Sequence, residues 1–318
     1  MSREFTFGLG CSALSQLRHY KGPAFITIAT YRKRVSNPVL GPLVDWVGMD
    51  SGGYTALKNT GAWPWGVREH ARQARRAMAW LGPKLPWVAV QDWMCSPEVL
   101  ARTGLTSATH IRRTCQSWAD LLHAAPDVPW APVLQGVTKA DYLRCADEAE
   151  HTTGRKLKDA PAVLIGSIAA RCMRRDGTAE RWIVDLAAEL VDRGMKIHPL
   201  GGKRAALREF ARVGCVSSDS QGWSAEGRSG KKTLAGWLGL PNPKYPPKPD
   251  KLLALAIAAE NSPPVGSVAA RSLLSLQIAG GKCPANSTAC AEAWRIEQNR
   301  FVAQGLALRA QEKLTCAI

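Results

Sequence analysis

Several short apolar runs in this chain end in side chains that can do acid–base or hydrogen-bond chemistry. WVGMDSGGYTAL (46–57) stops on Asp50 and continues through Ser51, Gly52, Gly53 and Tyr54. WVAVQD (87–92) stops on Gln91 and Asp92, APVLQG (131–136) on Gln135 and Gly136, and GCVSSD (214–219) on Asp219. AVLIGSI (162–168) and KIHPLG (196–201) bring Gly166 and Ser167, then Leu200 and Gly201, to the same point of their runs. Each has a plainer reading alone. An Asp or Ser caps the following helix or closes a tight turn, and Asp92 stands just before SPE at 96–98. Jointly they say more, because four unrelated loops would each have to place an acid or amide at the same height. Two acids on one rim are costly unless they are used.

Such a meeting requires parallel strands whose C-terminal ends share one side. The apolar runs are expected to be strands at 4–10, 24–30, 44–50, 87–92, 131–136, 162–168, 196–201 and 214–219. Helical spacing appears between them at 68–81, 97–101, 109–124, 139–150, 178–193 and 203–213. Eight strands alternating with helices predict an α/β fold of the (β/α)8 TIM-barrel type, with chemistry on the loops after the strands. A doubly wound open sheet has the same local rhythm. The barrel is expected over residues 1–235. A linker rich in Pro and Lys follows at 236–249, then a C-terminal helical appendage over 250–318.

The 318 residues carry a net charge of +16, which favours a polyanionic partner, nucleic acid before an anionic membrane surface. The cations cluster after the same strands: Arg32, Lys33 and Arg34; Arg171, Arg174 and Arg175; Lys203 and Arg204; Arg228, Lys231 and Lys232 beside Trp223. Arg68, Arg72, Arg75 and Arg76 follow the third strand on a helix, where a solvated charged face is the alternative. A basic collar around an acidic centre suggests backbone phosphates held around a site that acts on a base or sugar. Nine cysteines at irregular spacing, with no CxxC pair, read as reduced thiols in a cytoplasmic protein. No apolar run approaches the ~20 residues of a membrane span, and the first residues lack the pattern of a secretory signal.

DSGGY at 50–54, Asp92, LQG at 134–136, IGS at 165–167, LGG at 200–202 and Asp219 resemble the ordered motifs of the tRNA-guanine transglycosylases. The resemblance spans residues 44–222, and within that superfamily it is closer to the phage and bacterial enzymes that insert 7-deazaguanines into DNA (the DpdA type). It implies Asp219 as the nucleophile at the sugar C1′ and Asp50 as the neighbouring general acid/base. It implies Asp92 as the carboxylate that reads the purine N1 and exocyclic amine. Gln135 and the backbone N–H near Ser167 would bind O6, with Tyr54 and Leu200 sandwiching the base. Ser51, Gly52, Gly53, Gly136, Gly166 and Gly201 complete the base pocket, the glycines allowing close backbone approach. The expected partners are DNA, with tRNA as the alternative, a free 7-deazaguanine base as co-substrate, and other DNA-modification proteins; no membrane partner is expected. Location would be the cytoplasm, that of the host if the chain is phage-encoded.

The Cys-X-Cys-X-X-Cys…His zinc site of the tRNA enzymes has no counterpart after Asp219, where SQGWSAEGRSGKK stands instead. No metal or other cofactor is therefore expected, and tRNA is the weaker substrate. A nucleic-acid-binding barrel without chemistry and a hydrolase that leaves an abasic site are the competing readings.

Overall fold

The computed structural model describes residues 5–11, 14, 17, 22–42, 44–169, 180–202 and 204–220. The 236–249 linker and the 250–318 appendage lie outside these residues. Nine strands are described: β1 (Thr6–Gly10), β2 (Gly22–Thr27), β3 (Val44–Asp50), β4 (Val88–Ala89), β5 (Trp130–Ala131), β6 (Val133–Leu134), β7 (Val163–Ile165), β8 (Ile197–Pro199) and β9 (Ser217–Ser220). Between them run α1 (Ile28–Tyr31), α2 (Gly53–Thr60), α3 (Val67–Leu81), α4 (Pro97–Thr103), α5 (Ser107–Ala124), α6 (Lys139–Thr153), α7 (Arg181–Asp192) and α8 (Arg204–Arg212).

All strand pairs are parallel, so the fold is mixed α/β with parallel sheets. One sheet has the order β5-β4-β3-β2-β1-β9 and the other β6-β7-β8. Only Pro132, which has no N–H to donate, separates β5 from β6. The run 130–134 thus pairs with β4 at its start and with β7 at its end. On the far side, the Val216 N–H donates to the Ile197 carbonyl (3.0 Å) and the Ser218 hydroxyl to the Pro199 carbonyl (2.6 Å).

The apolar sequence of the inner strands follows from cover on both faces. Val88, Ala89, Ala131, Val133, Leu134, Val163, Leu164, Ile165 and Ile197 are all buried. The helices supply the outer layer. In α3 the buried residues His70, Ala71, Ala74, Ala77 and Leu81 repeat at three- and four-residue steps, leaving Arg68, Arg72 and Arg75 outward. Thr138 and Asp141 form a reciprocal capping box that starts α6, and Thr106 caps α5.

Two local expectations are corrected. The run at 24–30 leaves the strand at Thr27, whose hydroxyl accepts the Thr30 N–H and turns Ile28–Tyr31 into helix. Residues 53–60, outside the expected helices, form α2, which closes on Gly61.

Candidate active site

Every run that was expected to end in chemistry ends on the same side of the sheets, because each strand is parallel to its neighbours. Asp50 pairs with Thr27 at the close of β2 and β3, and Asp219 pairs with Gly8 across β9 and β1. Asp50 accepts the Gly52 N–H at 3.0 Å. Its carboxyl is pushed up to about 7, first by burial, then by the charge of Asp92, with a further contribution from Asp219. Asp92 and Asp219 thus both act electrostatically on Asp50, although 41 and 43 residues separate Asp92 from its own two hydrogen-bonded partners, Ser51 and Gln135.

Asp92 sits at the bottom of a side-chain network. The Ser51 hydroxyl donates to one of its oxygens and the Gln135 amide nitrogen to the other, each at 2.6 Å. The Ser167 hydroxyl donates to the Gln135 amide oxygen at 2.6 Å. The Cys95 N–H reaches both Ser167 Oγ (2.8 Å) and Gln135 Oε1 (3.3 Å). Asp92, Gln135, Ser51 and Ser167 are all buried. Burial raises the Asp92 carboxyl above its ordinary range, against the bonds from Ser51 and Gln135. Asp92 does not cap a helix: α4 begins on Ser96, with Pro97 at its first position.

Ser167 has φ 58, the only positive φ on a non-glycine among the described residues. A backbone held there by its surroundings is the kind of strain that functional sites keep. Gly166 is required beside it, because a Cβ there would fall into the Gln135 amide. The pair of glycines after Asp50 has two separate reasons. Gly52 adopts φ 82 and lies against Ala29, where a Cβ would collide. A Cβ on Gly53 would stand 3.0 Å from the Asp92 carbonyl and carboxylate. Close approach thus serves the carboxylate of the neighbouring strand. Gly201 has φ 69, and its N–H donates to Asp219 Oδ1 at 2.8 Å.

The remaining pocket residues are less enclosed. Tyr54 is 42% exposed on α2, its hydroxyl accepting from Lys58 at 2.9 Å. Leu200 is partly buried against the core. Gly136 packs under α6, where a Cβ would stand 2.8 Å from Asp141 and 2.9 Å from Tyr142.

The basic collar is only partly described. The Arg32 guanidinium lies over the Trp65 ring at 4.5 Å, and Lys33 and Arg34 are exposed. Arg171, Arg174, Arg175, Lys203, Trp223, Arg228, Lys231 and Lys232 lie outside the described residues, as does the side chain of Arg204. Of the α3 cations, two are ion-paired and Arg76 lies over the Tyr31 ring at 4.5 Å. Arg72 bonds Glu69 on its own helix, and Arg75 makes a two-nitrogen contact with Asp127, which precedes β5 and so stands at the opposite end of the strands.

Sequence reading missed His198. It is buried in β8, with Nδ1 2.7 Å from Ser217 Oγ and Nε2 3.4 Å from Asp219 Oδ1. The available signal was one imidazole inside an otherwise apolar run, two residues before LGG. The described cysteines, Cys11, Cys95, Cys115, Cys145 and Cys215, are all buried. Among the described residues no group of three or more His, Cys, Asp or Glu is placed to hold a metal ion. No described helix is long and apolar enough to cross a membrane.

No curated protein matches the chain. A family model does, over residues 3–236, and that span takes in every carboxylate, amide and glycine of the site just described. The chain belongs to the DpdA family, DeoxyPurine in DNA protein A.

Proposed function

We propose that this chain is a DNA-guanine transglycosylase, exchanging guanine in DNA for a 7-deazaguanine precursor such as preQ0 through a covalent glycosyl ester on Asp219. Membership of the family supports DNA modification by a transglycosylase-type enzyme. The observation that carries the finer reading is the convergence of Asp92 and Asp219 on Asp50 across one rim, both raising its proton affinity. The scaffold would be a closed eight-stranded barrel over residues 1–235. The Pro132 bridge between the two sheets and the Val216–Ile197 bond between β9 and β8 support closure. Residues 236–249 would be a linker and 250–318 a helical appendage.

The target nucleotide must leave the stack to reach such a site. Asp219 Oδ2, which has no hydrogen-bond partner among the described residues, attacks C1′ through an oxocarbenium-like state. The C1′–N9 bond breaks, its electron pair goes to the purine, and Asp50 supplies the proton that neutralises the leaving guanine. A carboxyl held near 7 can give that proton and then take one back. The incoming deazaguanine yields its N9 proton to Asp50. Its N9 then bonds to C1′, and Asp219 leaves as a carboxylate.

Asp92 and Gln135 read the base. The Gln135 oxygen is occupied by Ser167 and by the Cys95 N–H, so its nitrogen faces the site, and one of its two protons remains for a purine O6. Tyr54 and Leu200 would stack on the base, and Arg32, Lys33 and Arg34 would hold backbone phosphates. The reaction as written draws on no metal; the free base is the only co-substrate. Residues 171–175 and 203–232 would complete the basic collar. In cells, DNA and free base would meet in the cytoplasm, that of the host if the chain is phage-encoded.

DNA and tRNA incubated with radiolabelled preQ0 or guanine test this reading. Label entering DNA is expected. Label entering tRNA alone would overturn the DNA assignment. Alkali-labile strand breaks without incorporated label would make the chain a hydrolase.

A further inference from the structure

We infer that His198 is a positioning residue for Asp219: its Nε2–H donates to Asp219 Oδ1, fixing that oxygen and leaving Oδ2 as the attacking atom. The inference rests on the transglycosylase reading for its consequence and on side-chain geometry for its structure. His198 is 0% exposed. Its ring is clamped between Phe25, stacked at 5.5 Å and 20°, and the edge of Trp87 at 5.0 Å. It has two polar neighbours, Ser217 Oγ at 2.7 Å and Asp219 Oδ1 at 3.4 Å.

The tautomer follows from what those neighbours can offer. Among the described residues, the Ser217 hydroxyl has no hydrogen-bond acceptor other than His198 Nδ1. A buried hydroxyl proton without an acceptor is costly. Ser217 therefore donates to Nδ1, Nδ1 carries no proton, and the ring proton sits on Nε2. The reverse tautomer would strand the Ser217 proton and turn a nitrogen lone pair toward a carboxylate oxygen.

Two donors then meet at Oδ1, the Gly201 N–H at 2.8 Å and the imidazole at 3.4 Å. The Gly201 bond is the shorter and stronger. The imidazole adds a second direction, and two directions are needed to stop a carboxylate rotating about its Cβ–Cγ bond. Both donors also favour the anion, the form that attacks C1′ and the form released when the ester is cleaved. A plain core histidine would pack equally well against Phe25 and Trp87 without pointing a nitrogen at the nucleophile.

Two measurements on the full chain test this. In protein labelled with ¹⁵N-histidine, with the signals of residue 198 assigned by their loss in His198→Gln, the nitrogen shifts should place the proton on Nε2. A proton confined to Nδ1 would overturn the inference whether or not the chain acts on DNA. The second is the rate of covalent DNA–protein adduct formation at saturating DNA, followed on denaturing gels. His198→Phe should slow it roughly 10–100-fold, the worth of one hydrogen bond to a charged group, with DNA affinity unchanged. His198→Gln, which keeps an N–H near the Nε2 position, should recover much of the rate. A folded His198→Phe protein forming adduct at the parental rate would overturn the inference. So would a His198→Gln protein as slow as His198→Phe. Absence of adduct in the parental protein would count against the transglycosylase reading instead, leaving the tautomer measurement to decide the geometry.

Discussion

Asp92 and the pair Asp50 and Asp219 stand on one rim but are held in opposite ways. Asp92 has both oxygens bonded by side chains from other segments, Ser51, which accepts the Gly53 N–H, and Gln135, which is locked by Ser167 and the Cys95 N–H. Among the described residues no side chain hydrogen-bonds Asp50, which is held by backbone N–H groups such as that of Gly52, and Asp219 keeps one oxygen without a partner. A carboxylate with each oxygen anchored by a side chain, and a lone pair left to accept from a ligand, is suited to reading it by fixed geometry. A carboxylate oxygen without a side-chain partner is suited to bond making, and one whose proton affinity is raised, as at Asp50, to proton transfer. The difference teaches that the site divides into a rigid reading corner and a reactive pair.

Substitution can break this division on either side. On the reactive side, Asp219→Asn should bring base exchange below detection in a labelled-base assay while DNA binding in a filter assay persists. Asp50→Asn should lower the exchange rate by roughly 10²–10⁴-fold, the usual worth of a general acid–base group, again with DNA bound. In the reading corner, Gly166→Ala or Gln135→Leu should weaken base binding by about 1–3 kcal/mol, because Asp92 or Gln135 would lose a buried partner. Isothermal titration with the free base reads that loss, and adduct formation with guanine-containing DNA should suffer less than affinity for the incoming base.

Smaller effects sharpen the contrast. Asp50 has a folded-state pKa of about 7 against an ordinary 3.8. The native state therefore holds its proton more tightly than the unfolded chain does. The contribution of Asp50 favours folding below about 4 and is lost as pH rises through about 7. Asp50→Asn should consequently raise the melting temperature at pH 8 and change it little at pH 4; about 1 kcal/mol corresponds to ~2–4 °C for a domain of this size. Arg75→Ala, which removes an exposed ion pair far from the rim, should cost under about 1 kcal/mol and leave DNA affinity unchanged. A clear loss of DNA affinity in that variant would place this end of α3 on the binding surface.

Much of the architecture was readable in the order of residues. Every expected strand exists, because apolar runs buried on both faces signal themselves through composition alone. The strands inside the core are nevertheless shorter than expected, two or three residues at β4 to β8, since burial continues past the last ladder bond at Val90, Gln91 and Ile168. Helix α2 escaped notice because GYTALKNT opens on glycine and carries few apolar residues. Its buried residues are Gly53, Ala56 and Leu57. At the site, the acids and glycines could be identified from the strand ends, but their partnerships could not. Ser51 reaching Asp92 and Gln135 reaching Ser167 depend on strand neighbours 32 to 41 residues apart. His198 stayed hidden because an isolated imidazole in an apolar strand has many explanations until Asp219 is seen beside it.

The most direct test of the central claim is peptide mass spectrometry of the adduct trapped from DNA and the full chain. A deoxyribosyl ester on the peptide containing Asp219, absent from Asp219→Asn, is the predicted result. An adduct on Asp50 or any other residue, or one that survives in Asp219→Asn, would contradict it.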